Sequence, residues 1–140
     1  MQVIALSLVF CLAAPVWGAK VETPITVLAD LASALSQGDP DDAMAVFDKS
    51  IKDYEQIETN IEALAEQTDI LCAIDIVTDN ESAGVHKLDV DWFMQLKTAA
   101  NSETLERRRE RVNIEMRQIS GKWKITALSP LKILDPIRIQ

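Results

Sequence analysis

The chain has 140 residues, with 22 acidic side chains against 14 basic ones and a formal net charge of -8. That length supports one hydrophobic core rather than two. The acidic excess argues against nucleic acid and anionic membranes as partners, because their phosphates select lysine and arginine.

The N-terminus opens on a short apolar run, Val3 to Ala14, too brief to span a bilayer. Val16 and Gly18 then occupy the −3 and −1 positions of a cleavage site after Gly18. Residues 1–18 therefore read as a secretory signal peptide. The mature protein is expected to be exported, periplasmic or secreted, with no membrane attachment once the leader is removed. The n-region carries no Lys or Arg, so a buried N-terminal strand or helix stays open as the alternative. A lipoprotein reading fails because Phe10, not a small residue, precedes Cys11. Without the leader only Cys72 remains, so no intramolecular disulfide can form, and a small buried hydrophobe is the expected role of that residue.

Residues 19–135 read as one domain, and 136–140 as a C-terminal tail. Ile25, Leu28, Ala32 and Leu35 fall at helical spacing and define a first helix, which Gly38 ends. Asp39 is a good N-cap for a second helix, with Pro40 in its first turn and Asp41 and Asp42 beside the positive dipole end. Met44, Val46 and Phe47 are expected to form its apolar side. Calcium is a weaker explanation of these acids, since the loop glycine and terminal Glu of an EF-hand are missing. A third helix, about Tyr54 to Gln67, carries the stripe Tyr54, Ile57, Ile61 and Leu64.

Four strands follow. The first is expected near Ile70–Thr78 and the second near Val85–Lys97, joined by a loop over residues 79–84. The last two form a hairpin about Ser120-Gly121, whose two-residue turn pairs Ile119 with Lys122. Counting outward places Met116 opposite Ile125 and Ile114 opposite Ala127. Helices first and an antiparallel meander afterwards make an α+β domain with helices packed on one sheet face.

The register sorts the strand residues into two faces. Ile70, Cys72, Ile74, Ile76, Leu88, Val90, Trp92, Met94, Leu96, Val112, Ile114 and Met116 belong to the inner one. Asp75, Asp89, Asp91 and Phe93 share the outer face with Arg107, Arg109, Arg111, Glu115 and Arg117. Asp91 should lie opposite Arg111, and Phe93 opposite Arg109, as an ion pair and a cation–π pair. The outer face is either solvated or a homodimer surface built on Asp91, Phe93, Arg109 and Arg111. Glu106, Arg108 and Glu110 have inner-face parity, with Glu110 opposite Trp92. They either meet water where the sheet outruns the helices or rim a pocket.

The segment Gly-Asp-Pro-Asp-Asp-Ala-Met-Ala-Val-Phe-Asp (Gly38–Asp48) and the closing Gly-Lys-Trp-Lys-Ile hairpin (Gly121–Ile125) resemble the nuclear transport factor 2-like superfamily. That group includes SnoaL-like cyclases and ketosteroid isomerase-like proteins. The resemblance implies a curved antiparallel sheet wrapped around helices into a cone, a cavity between them, and frequent dimers. Members usually carry a short β-hairpin after the second helix. Here Asp48-Lys49-Ser50-Ile51-Lys52 leads almost directly to the Tyr54 helix, so that hairpin is expected to be missing. In enzymes of the group this region and the adjoining strands supply acidic or tyrosine catalytic residues, and none carries over to a position of this chain.

Two functional readings result, beside a third in which the domain is a purely structural partner with a filled core and an outer face centred on Phe93 and Arg109. In the first, the domain is a non-enzymatic module that binds a small apolar or amphipathic molecule, or a protein. Its pocket would lie between the third helix and the sheet, lined by Tyr54, Trp92, Met94, Arg108 and Glu110. In the second it is a lyase- or isomerase-type enzyme using an in-pocket carboxylate, Glu110, or failing that His86, the only histidine. A desolvated Glu110 beside Trp92 would favour the enzyme, and Glu110 in open water would sink it. Zinc lacks the ligands it needs. With no phosphate loop, nucleophile elbow or dinucleotide fingerprint, no metal or cofactor is expected.

Overall fold

The computed structural model describes residues 22–137, so the leader lies outside the described residues. Three helices precede four strands: α1 (Pro24–Ser36), α2 (Pro40–Met44), α3 (Tyr54–Gln67), β1 (Asp69–Ser82), β2 (Val85–Lys97), β3 (Thr104–Ile119) and β4 (Lys122–Ser129). A 3₁₀ turn over Lys132–Leu134 follows. The sheet is an antiparallel meander in the order β1-β2-β3-β4, with the helices on one side, and the α+β class read from the sequence holds.

Local chemistry explains the helix ends. Thr23 caps α1 in a reciprocal box with Thr26, and the Asp39 carboxylate accepts from Asp42 N–H at the start of α2. Asp39, Asp41 and Asp42 crowd one another there. Asp42 is raised above an ordinary aspartate, first by the Asp39 charge and by its hydrogen bond to Asp39. The inward side of α1 is Val27, Leu28, Leu31, Ala34 and Leu35, whereas Ile25 is 60% exposed. Ile25 thus falls outside the stripe assigned to it, because α1 turns its Leu28–Leu31–Leu35 line toward β1. Helix α2 is only five residues long, so Val46 and Phe47 lie beyond it rather than on its side.

Those two residues do something else. Phe47 forms a parallel bridge with Ile125 of β4, in which Ile125 N donates to Val46 O at 2.8 Å and Asp48 N donates to Ile125 O at 2.9 Å. The chain then goes straight to α3. One bridge therefore stands where the fold usually places a hairpin, as the short connection required.

The inner face matches its sequence parity closely. Leu88, Val90, Trp92, Met94, Leu96, Val112, Ile114, Met116 and Ile125 are all essentially buried against α1 and α3. Burial pushes the Cys72 thiol up to about 12, despite the Trp92 indole beside it.

Three bulges correct the expected register, each a single unpaired residue. Thr126 bulges from β4, so Ile114 faces Leu128 rather than Ala127, and Ala127 moves opposite Glu115. Leu105 bulges from β3, so Lys97 pairs with Thr104. Val77 bulges from β1 between Ile76 and Thr78. Beyond Val77 the strand continues to Ser82, and the expected loop over 79–84 shrinks to Ala83-Gly84, both at positive φ. Two left-handed residues form the turn that best matches strand twist, so pairing persists through a polar stretch that reads as loop.

Candidate functional site

The residues proposed to line one pocket separate into three places. Trp92 and Met94 are fully buried side by side in the core, where the Trp92 indole N–H has no hydrogen-bond partner among the described residues. Tyr54 is half-buried at the start of α3, over a shallow concavity lined by Lys49, Asp53, Glu55 and Gln56. Arg108 and Glu110 do come together, in an open groove of about 580 Å³ between β3 and the chain after β4.

Groove geometry follows from where β4 ends. The last β3–β4 pair is Asn113 with Ser129, after which the chain turns away through Pro130 and returns as the 3₁₀ turn. Arg108 holds this returning strap. Its guanidinium donates to Ile133 O at 3.0 Å and to Asp135 O, while its Nε donates to Glu106 at 2.7 Å. Glu110 lies opposite Trp92 in register, as expected, but its carboxylate is 30% exposed and faces Lys132 Nζ at 3.4 Å. The strap is anchored again at Gln67, which accepts from Ile137 N at 2.9 Å, so ordered structure continues two residues past 135. Arg108 is thus occupied by structure, and Glu110 by an ion pair at the rim.

His86 has company that the sequence did not suggest. Its Nδ1 lies 2.8 Å from Asp79 Oδ1, and its Nε2 lies 3.7 Å from Glu81 Oε2. The ring meets Trp123 edge-to-face at 4.9 Å. The Val77 bulge creates this cluster. One extra residue reverses the parity of β1, which brings Asp79 opposite Leu88 and Glu81 opposite His86 on the inner side. A carboxylate on Nδ1 is the orientation a general base uses. Here, however, the other nitrogen is turned toward a second carboxylate, and the neighbouring 370 Å³ cleft between α1, α2 and β4 is lined by Trp123 rather than by His86. Among the described residues no group of three or more His, Cys, Asp or Glu is arranged to hold a metal ion.

On the outer face Asp91 and Arg111 are opposite in register, as are Phe93 and Arg109. The ion pairs nevertheless run along the diagonals. Arg109 reaches Asp91 at 3.3 Å and Arg111 reaches Asp89 at 3.4 Å, replacing the expected Asp91–Arg111 pair. Strand twist brings diagonal neighbours within reach of long side chains. Arg109 also lies 6.0 Å from the Phe93 ring centre, the contact expected there.

No family model matches the sequence, and no curated protein matches it. Solved structures do. A conserved protein from Planctomyces limnophilus superposes with a TM-score of 0.65 at 9% identity, over 74% of this chain and 88% of that one. A putative scytalone dehydratase from Novosphingobium aromaticivorans gives 0.64 at 10% identity, over 74% and 77%. An NTF-2 like protein of unknown function from Shewanella oneidensis gives 0.62 at 13% identity, over 74% and 92%. Identities this low carry the fold and not the chemistry. The chain has the nuclear transport factor 2-like fold.

Proposed function

We propose that the protein is an exported, non-enzymatic interaction module that associates through its outer sheet face, with itself as the first partner. Support for the non-enzymatic half comes from the interior. Trp92 and Met94 are fully buried in the core rather than lining an open pocket, and Glu110 stands at an open rim beside Lys132. A carboxylate there lacks the desolvated setting that acid–base catalysis on a small molecule would use.

The observation that carries the interaction reading is the charge segregation of the outer face. Asp89 and Asp91 stand on β2, Arg107, Arg109, Arg111 and Arg117 on β3, with Phe93 half-buried between and Leu71 51% exposed beside them. A two-fold axis lying in the plane of the interface and parallel to the strands would set one copy's acidic column against the other's arginines. Four strands of about ten residues present roughly 600 Å², near the lower end of what a stable interface needs from each partner. Cleavage after Gly18 would leave Glu22, Thr23 and all later elements in the mature chain, which is compatible with export.

Light scattering and native mass spectrometry of the mature protein test the association. The expected species is a dimer at tens of micromolar, converted to monomer by Phe93→Asp with unchanged far-UV circular dichroism. A wild-type monomer throughout that range would overturn the reading.

A further inference from the structure

Among the described residues, the outer edges of β1 and β4 are each covered or interrupted in part. On β4, the Phe47 bridge covers Ile125, and Trp123 N donates to the Glu22 carboxylate at 2.8 Å. On β1, Cys72 N donates to Ser36 Oγ at 3.0 Å, and the Val77 bulge and a series of acids interrupt the rest. Bulges and inserted charges are the means by which proteins keep an edge from pairing. From Thr104 to Val112, however, β3 pairs with β2 alone, because β4 has already departed. The strap lies alongside without pairing: among the described residues it makes no backbone hydrogen bond to this part of β3, and Arg108 touches it only by side chain.

The open stretch carries four basic side chains, Arg107, Arg108, Arg109 and Lys132, against the acids Glu106, Glu110 and Asp135. Arg107 and Arg109 stand two residues apart on one face of the strand, and Lys132 lies across the groove beside Glu110. Arg107 is exposed and has no ion pair among the described residues, whereas Arg109 and Lys132 each have a single one. Leu105, pushed out by its bulge, adds a half-exposed apolar side chain at one end. From Glu106 to Glu110 the edge runs roughly 13 Å, the length of a five-residue extended segment.

We propose that this edge of β3 receives an extended acidic peptide from a partner protein as an added strand. Backbone groups of the peptide complete the ladder, and carboxylates at alternate positions meet Arg107 and Arg109. Alternation matters because only side chains two apart on an extended partner point the same way. Arg107 and Arg109 also stand on the outer face proposed to pair in the dimer, so native mass spectrometry of each variant reports self-association separately from peptide binding.

Fluorescence anisotropy with a labelled, end-blocked Val-Glu-Val-Glu-Val-Glu peptide tests the proposal on the mature protein at low salt. Saturable binding is expected, with at least tenfold loss in Arg107→Glu and little change in Arg117→Glu, where β4 covers the edge. The same peptide N-methylated at each glutamate keeps the charge but loses the backbone donors that would face β3, and should bind at least tenfold more weakly. Amide exchange should slow over residues 105–111 when the first peptide is bound. Equal binding of the N-methylated peptide, indifference to Arg107→Glu, no binding of the acidic peptide, or tighter binding of an oligothymidylate would each overturn it.

Discussion

Arg108 illustrates how a residue singled out for a site can belong to the scaffold. One guanidinium satisfies Glu106 and two carbonyls of the returning strap, and lysine lacks the planar fork to do the same. Arg108→Lys or Arg108→Ala should cost about 2 kcal/mol, by leaving partly buried acceptors unpaired, and chemical denaturation should read the loss. Cys72 gives a second residue-scale expectation. With its thiol pushed up to about 12 by burial, iodoacetamide at pH 8 should leave the native protein unlabelled and modify it on unfolding. Rapid labelling of native protein would place the thiol at the surface. Asp42 has the opposite sign from an ion-paired carboxylate. Its folded pKa is raised by Asp39, so the folded state takes up this proton first, and the group favours folding as pH falls through that range. Carboxyl-carbon NMR should give Asp42 a midpoint above that of an ordinary aspartate. Between the bulges, parity along the strands was readable from alternation, since period 2 fixes which side chains share a face. The partners of Arg108 and His86 were not, because each is reached across a bend or a bulge that no local pattern announces.

At the scale of elements, the bulges set what the turns alone could not. Val77, Leu105 and Thr126 each displace a register by one residue, and two of them appear among the exposed large hydrophobics. In the sequence they look like ordinary strand formers, so counting outward from Ser120-Gly121 is correct to Met116 and wrong beyond it. The Ala83-Gly84 turn escaped notice for a related reason. Alanine is a poor left-handed residue, yet Ala83 has φ 53°. Ala83→Asn should therefore stabilise the protein by about 0.5–1 kcal/mol, since asparagine tolerates that conformation and suits such turns. Thermal denaturation is the measurement, and a lower melting temperature would contradict the assigned turn.

For the molecule as a whole, the fold resembled in sequence is the fold observed, but the cavity implied by the resemblance is not where Trp92 and Met94 were to line it. Large side chains on the inner face are buried in the core between sheet and helices, and they look the same in sequence whether they pack or line a void. The most consequential whole-molecule feature is the single bridge between Phe47 and Ile125, residues that lie 78 positions apart. Everything between them consists of one helix and a meander, both of which can form from near neighbours. Closing so long a loop is entropically costly and is rewarded only once the last hairpin exists, so this contact belongs late on the folding route. Phe47→Ala should then accelerate unfolding while leaving the refolding rate nearly unchanged, a φ-value near zero by stopped-flow kinetics. By that route, the residue that fastens the helices to the sheet would govern how long the native state lasts rather than how quickly it is reached.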